Sequence, residues 1–486
     1  MLATPIQYEF ETKLDHVTGG AHSETFNIRY LVDDQYFKNA SSGLDRPILF
    51  YAGNEGSIWD FYENSGFMTE TLAKQFGGLV VFGEHRYFGE SFPTQFAKAD
   101  AFKEGNNAYL TVENTMMDYV EMIKHIKERY NAQDKAVIVF GGSYGGMLAA
   151  WLRMKFPATF QGALAASAPI LYFKGAPSAP EDEFSMIATR DFAGTYPDER
   201  CSKGIKEAFN VLMDLKTRQD DWAEVSTMFN TCKVIDGADK VQNMYEHFSN
   251  GFLYMAMTDY PYESAFLEPM PAWPVNVSCE AWADIEPAAE PTERGVGALS
   301  DREKLVLTAL NTSANVYFNY KGQQACLDTE DTEGTGTLDA AGWNVLACNE
   351  LAMPTSMGAD SMFIAEPFNY TEYTKFCQDT YGLTPNYQWA LNQFGGFNVA
   401  RDFQSMSNII FSNGELDPWR AGGVYEWINL DLPFYIIKGG AHHLDMRLPN
   451  EADKGTDVEF VREKEAILIE MWIKEYQNAA SNVFTQ

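Results

Sequence analysis

The sequence is short of basic charge. It sets only 36 Lys and Arg against 68 Asp and Glu, for a formal net charge of −32. Nucleic-acid backbones and anionic membrane surfaces repel such a chain, so both are excluded as partners. Histidine is scarce at seven residues and cysteine at six. No Cys lies before 201 or after 377, and no CxxC or Cys/His spacing suited to zinc occurs, so no metal site is expected. The run of about 18 apolar residues that a membrane span needs is also missing. The most apolar stretch, Gly162 to Phe173, is too short and contains Ser167 and Pro169. The first residues, MLATPIQYEFETKLDH, have no basic segment followed by an apolar one, so no signal peptide is visible. Repeats and low-complexity tracts are lacking too.

What is present is enough for a folded chain. The 486 residues are 45% hydrophobic and 14% aromatic, which buries a core despite the charge. The length allows roughly two to three domains. Cys201, Cys232, Cys279, Cys326, Cys348 and Cys377 cluster in one central stretch. An even count so placed reads as three disulfides stapling one module in an oxidising compartment. Sequons at Asn39, Asn276, Asn311 and Asn369 also favour the secretory route.

Residues 26–33, 47–53 and 78–83 read as strands, short and bounded by Gly, Pro or Asn. Residues 111–130 read as a helix, with Met116, Tyr119, Val120, Ile123 and Ile126 on a 3–4 spacing and a start near Thr111 and Asn114. A wholly apolar strand, 136–140, precedes a helix at 145–156 and a strand near 162–167. That alternation implies a parallel α/β sheet. From about 170 the texture turns helical and polar, and strands return at 407–412 and 433–438, followed by a helix at about 459–476. The expected organisation is therefore one α/β domain in two parts, 1–168 and 392–486, around an inserted module, 169–391. Asp328 to Gly334 (DTEDTEG) reads as a solvated loop.

Gly141-Gly142-Ser143-Tyr144-Gly145 matches G-x-S-x-G directly between a buried strand and a helix, the context that motif requires. A sharp turn there lifts a serine Oγ above the sheet, and the helix N-terminus favours a developing oxyanion. Such a hydroxyl needs a base, and the chain order in this fold is Ser, acid, His. His247 falls in the insertion, which leaves His442 or His443 after the last strand. NGELDPW, after the strand 407–412, offers Glu415 and Asp417. Asp417 is preferred because Pro418 pins the backbone beside it. The oxyanion hole is expected at the Tyr144 N–H, with a second donor from Gly53, Asn54 or Glu55.

These residues resemble the serine peptidase family of lysosomal Pro-Xaa carboxypeptidase and dipeptidyl-peptidase II. The matching stretches include KLDHV (13–17), YAGNEGSIW (51–59), GEHRYFGES (83–91), GGSYGGMLAAWLRMKFP (141–157), IIFSNGELDPW (409–419) and GGAHHLDMR (439–447). The resemblance implies an α/β-hydrolase sheet with a mostly helical, disulfide-linked cap, a lysosomal, vacuolar or secreted setting, and no cofactor. It places the base on His442 and pairs Cys201 with Cys279, Cys232 with Cys326, and Cys348 with Cys377. Two further Cys of the human-type carboxypeptidase, near 176 and 356, are absent. Family members are often dimeric, and this sequence carries no separate dimer signal.

The family cleaves next to proline, so the partners are proline-containing peptides. A pyrrolidine ring suits a flat apolar pocket, for which Tyr144, Met147, Met353 and Trp419 are candidate walls. A carboxypeptidase needs a cation for the substrate carboxylate, and His443 and Arg447 lie beside the base. A dipeptidyl peptidase needs a carboxylate for the α-amine, and Glu55, Glu84 and Glu350 are unassigned. The motifs lean to the carboxypeptidase. The dipeptidyl peptidase stays open, as do an esterase and a silent binding module.

Overall fold

The computed structural model describes residues 4–18, 24–41, 44–288, 298–328, 330 and 338–483. Five apolar strands are buried at every position: β3 (Ile48–Ala52), β4 (Leu79–Gly83), β5 (Val137–Gly142), β6 (Gly162–Ala166) and β7 (Ile409–Gly414). Runs without polar alternation belong in the middle of a sheet covered on both faces. With β1 (Ile6–Lys13), β2 (Thr25–Asp33) and β8 (Phe434–Ile437) they form one sheet in the order β1-β2-β4-β3-β5-β6-β7-β8. The pairs β1–β2 and β2–β4 are antiparallel, and every other pair is parallel. This is an α/β-hydrolase sheet.

Five helices bear on the site. Helix α1 (Val112–Arg129) starts where Thr111 Oγ1 accepts from the Asn114 N–H, a side-chain N-cap. Helix α2 is Ser143–Lys155, so it begins on the serine itself rather than at 145. Helices α3 (Glu183–Ala193) and α4 (Ala238–Met257) lie in the long excursion between β6 and β7. Helix α5 (Asp457–Val483) packs back across β5, β6 and β8.

Three disulfides tie the excursion: Cys201–Cys279, Cys232–Cys326 and Cys348–Cys377, the pairs the resemblance implies. Asn39, Asn276 and Asn369 are exposed, while Asn311 is half-buried. Of the loop 328–334, only Asp328 and Glu330 lie within the described residues. No described helix is long and apolar enough to cross a membrane.

The KLDHV and GEHRYFGES motifs meet in a buried clamp. Arg86 donates twice to Asp118 (2.6 and 2.7 Å) and once to the Leu14 carbonyl (2.8 Å), and His16 Nε2 lies 2.9 Å from Asp118. The clamp fixes the antiparallel edge to α1, and both members of the Arg86–Asp118 pair are fully buried.

Candidate active site

Parallel strands end on one side of a sheet, and the loops leaving those ends form its crevice. Here the ends of β3, β5, β7 and β8 deliver Gly53, Ser143, Asp417 and His442. Ser143 has φ 57°, the left-handed region in which a non-glycine residue is strained. The turn closes because its neighbours have no side chain. A Cβ on Gly145 would lie 2.3 Å from Asn54 Oδ1, and one on Gly142 2.7 Å from His443 Cδ2.

Asp417 is fully buried and His442 nearly so. Asp417 Oδ1 accepts from the Trp419 N–H (3.0 Å), and Oδ2 accepts from His442 Nδ1 (2.8 Å). An acceptor there fixes the proton on Nδ1 and leaves Nε2 as the free lone pair. That nitrogen is buried and bonds no described residue. Glu415, the other acid of the turn, is exposed and accepts from the Gly439 N–H (2.9 Å) instead. One residue of α4 steadies both loops. The Met257 carbonyl accepts from the His442 N–H (2.9 Å), and its Sδ from Trp419 Nε1 (3.1 Å). Tyr260 Oη also donates to the His442 carbonyl (3.0 Å).

The Tyr144 N–H sits in the first turn of α2, where amides have no intrahelical acceptor. Asn54 does not offer its side chain to an oxyanion. Its Nδ2 donates to the Gly142 carbonyl (2.8 Å) and its Oδ1 accepts from Tyr51 Oη (2.9 Å), so it braces the serine turn. Any donor from that loop is therefore a backbone amide.

Ser143 opens on a cavity of ≈230 Å³ whose walls include Glu55, Tyr144, Met147, Trp343, Met353 and Trp419. Phe184 meets Trp419 edge-on at 4.7 Å. Tyr144 Oη is 2.9 Å from His85 Nε2, and His85 Nδ1 lies 2.7 Å from the Arg86 carbonyl. Burial holds His85 down to about 3, so its imidazole is neutral, donates through Nδ1 and accepts from the tyrosine. Burial likewise raises the Glu55 carboxyl. Glu55 Oε2 is buried and bonds no described residue.

Other expected site residues are placed elsewhere. His443 and Arg447 are buried but do not line the cavity. His443 stands edge-on to Phe266, and burial holds its imidazole well below the ordinary value, with the charges of His442 and Arg447 adding to the effect. Arg447 donates to Asn64 (2.9 Å) and Ser264 (2.8 Å) and lies over the Tyr260 ring. Glu84 is saturated by Arg29, Ser91 and the Ile58 and Glu90 amides. Glu350 accepts from the Val112 N–H (2.8 Å) at the start of α1, and burial pushes it up to about 8. His85, Trp343 and Met257 were not singled out from the sequence. The signal for His85 was its place in GEHRYFGES, directly after a buried strand.

A strained serine on an apolar cavity and a buried Asp–His pair, delivered by strand ends of one sheet, suit acyl transfer to a serine oxygen. The family model for serine carboxypeptidase S28 matches residues 12–465. The chain belongs to this family. It is a serine peptidase. A lysosomal Pro-X carboxypeptidase of Bos taurus is 38% identical, with 96% of this chain and 87% of the relative covered. The lysosomal Pro-X carboxypeptidase of Homo sapiens is also 38% identical, over 97% and 89%. A prolyl carboxy peptidase like protein 5 of Caenorhabditis elegans is 33% identical, over 93% and 86%.

Proposed function

We propose that this chain is a lysosomal exopeptidase that removes a C-terminal residue following proline. Ser143 attacks the carbonyl of the prolyl residue, and His442 Nε2 takes its proton. Asp417 keeps the histidine in the required tautomer and stabilises the imidazolium. The Tyr144 amide and a backbone amide from Gly53–Glu55 receive the oxyanion. His442 then protonates the leaving amine, and water reverses the steps to free the acyl-enzyme. Met147, Met353 and Trp419 flank the pyrrolidine ring, whose missing N–H asks nothing of an apolar wall. The helical segment 169–391 acts as the cap that limits access to chain ends, and the four sequons carry glycans. The single observation that carries this reading is the buried Asp417–His442 hydrogen bond of 2.8 Å, which leaves Nε2 bonded to no described residue.

A second reading rests on the charges at the cavity. Glu55 and Asp339 line it, and among the described residues no Lys or Arg does. Acids at that place suit the α-amine of a substrate whose first two residues are released. An amino-blocked Xaa-Pro-Phe peptide and a free Lys-Pro-chromophore distinguish the two at pH 5 and pH 7. Phenylalanine release from the first supports the carboxypeptidase. Chromophore release from the second alone overturns it in favour of the dipeptidyl peptidase.

A further inference from the structure

Behind the histidine loop lies a second pair of buried acids that the chemistry above does not use. Glu465, on α5, is fully exposure-free, and neither of its carboxyl oxygens receives a hydrogen bond from a described N–H or O–H. The Asp445 carboxyl lies within hydrogen-bonding reach of it. Asp445 is itself nearly fully buried and accepts from Ser412 Oγ on β7 (2.5 Å). Two buried carboxyls in contact cannot both ionise, so one proton sits between them. Burial raises the Glu465 carboxyl, so Glu465 carries that proton and donates it to Asp445, which also accepts from Ser412.

Asp445 belongs to the short turn Leu444–Met446, directly after His442 and His443 and directly before Arg447. Helix α5 grips the same turn through Arg462. That guanidinium donates to the carbonyls of Asp445 (2.8 Å), Leu444 (2.7 Å) and Arg447 (3.1 Å), and to Asp453 Oδ2 (2.7 Å). Its charge is paired with Asp453 and also acts on Glu465, where it opposes the raising by burial and by Asp445. The other groups facing Glu465 are few. Tyr435 on β8 feels its charge, and β5 and β6, which also pack on α5, bring no titratable side chain.

We propose that Glu465 is a positioning residue for the catalytic loop: by donating its carboxyl proton to Asp445 it clamps α5 and β7 onto the turn that carries His442, His443 and Arg447, and loss of that proton releases the turn. Burial is the first cause that raises the Glu465 carboxyl, with Asp445 the next. A raised acid stabilises the fold in full below the ordinary glutamate value of 4.5, and that contribution is lost as pH rises toward the folded-state value. The alkaline side of the activity profile then reports this carboxyl. Deprotonating His442 cannot produce such a fall, because the base acts in its neutral form.

The inference rests on the proposed roles of Ser143 and His442, so the test reads serine reactivity directly. The rate of Ser143 labelling by a fluorophosphonate is measured against pH in wild type, Glu465→Gln and Asp445→Asn, with unfolding temperature followed at each pH. Gln keeps a donor for Asp445 and has no proton to lose. The expected result is wild-type labelling at about pH 5 within roughly twofold for Glu465→Gln, and an alkaline limb moved up by at least about one pH unit. Asp445→Asn takes away the second cause that raises Glu465, so the proton leaves at lower pH and the limb moves down. An unchanged alkaline limb in both variants overturns the inference, as does a tenfold loss at pH 5 in a folded Glu465→Gln. Wild type that is never labelled overturns the assignment of Ser143 instead, so the two failures are distinguishable.

Discussion

Replacing Asp417 with Asn changes the site by one atom. The side chain keeps its volume in a fully buried position. Its oxygen still accepts from the Trp419 N–H, now 3.0 Å away. The amide nitrogen then faces His442 Nδ1 at 2.8 Å and donates to it. Nδ1 becomes the acceptor, the ring proton moves to Nε2, and the lone pair that should receive the serine proton is gone. The flipped amide is no better, since it sets its NH2 against the Trp419 N–H. A wrong tautomer in a triad costs about 10⁴ in kcat, or roughly 5.5 kcal/mol at about 1.36 kcal/mol per decade. The assay is steady-state hydrolysis of blocked Xaa-Pro-Phe at pH 5, with thermal unfolding as control. The loss is expected in kcat with KM little changed, because no cavity wall moves. A loss below about tenfold in a folded Asp417→Asn, or one carried by KM, refutes the assigned role of this carboxylate.

Other perturbations follow from the same geometry. Gly142→Ala places a Cβ 2.7 Å from His443 Cδ2. Because Gly142 has φ −108°, the backbone tolerates alanine, and the expected outcome is about 10²-fold lower kcat from a displaced histidine loop, with thermal unfolding near wild type. Glu350 is pushed up to about 8, so its stabilising contribution is whole below 4.5 and falls as pH rises toward 8, by up to about 1.4 kcal/mol per unit. Calorimetry should therefore show Glu350→Gln close to wild type at pH 5 and gaining on it at pH 8, whereas Glu350→Ala leaves the Val112 N–H unpaired and loses about 1–3 kcal/mol at pH 5. Removing Cys232–Cys326, whose ends are 94 residues apart, is expected to cost more than removing Cys348–Cys377 at 29, each roughly 3–5 kcal/mol in the loop-entropy account. Chemical denaturation of the two double Ser variants ranks them.

The central sheet was readable because β3 to β7 are continuous apolar runs, buried on both faces and bounded by turn residues. The edge strand β1 was missed for the complementary reason. Most of IQYEFETK is exposed, and its alternation of Glu and Lys with aromatics gives no buried signature. The serine turn and the acid and histidine loops were legible because each follows a strand and each needs a specific residue type. The support beneath them was not. Met257 bridging Trp419 and His442, Trp343 in the cavity wall, and Glu465 behind Asp445 are contacts between segments far apart in the chain. Charge count alone suggested acids available to a substrate, but Glu84 is spent on Arg29 and three neighbouring donors, and Glu350 on the start of α1. Only burial and hydrogen bonding separate such structural carboxyls from Glu55, which reaches the cavity.

The most direct test of the account is peptide mapping after reaction with a fluorophosphonate at pH 5. It predicts a single adduct on the peptide that contains Ser143, with no labelling and no Xaa-Pro-Phe hydrolysis in Ser143→Ala. An adduct on another residue, or hydrolysis that survives in Ser143→Ala, contradicts it.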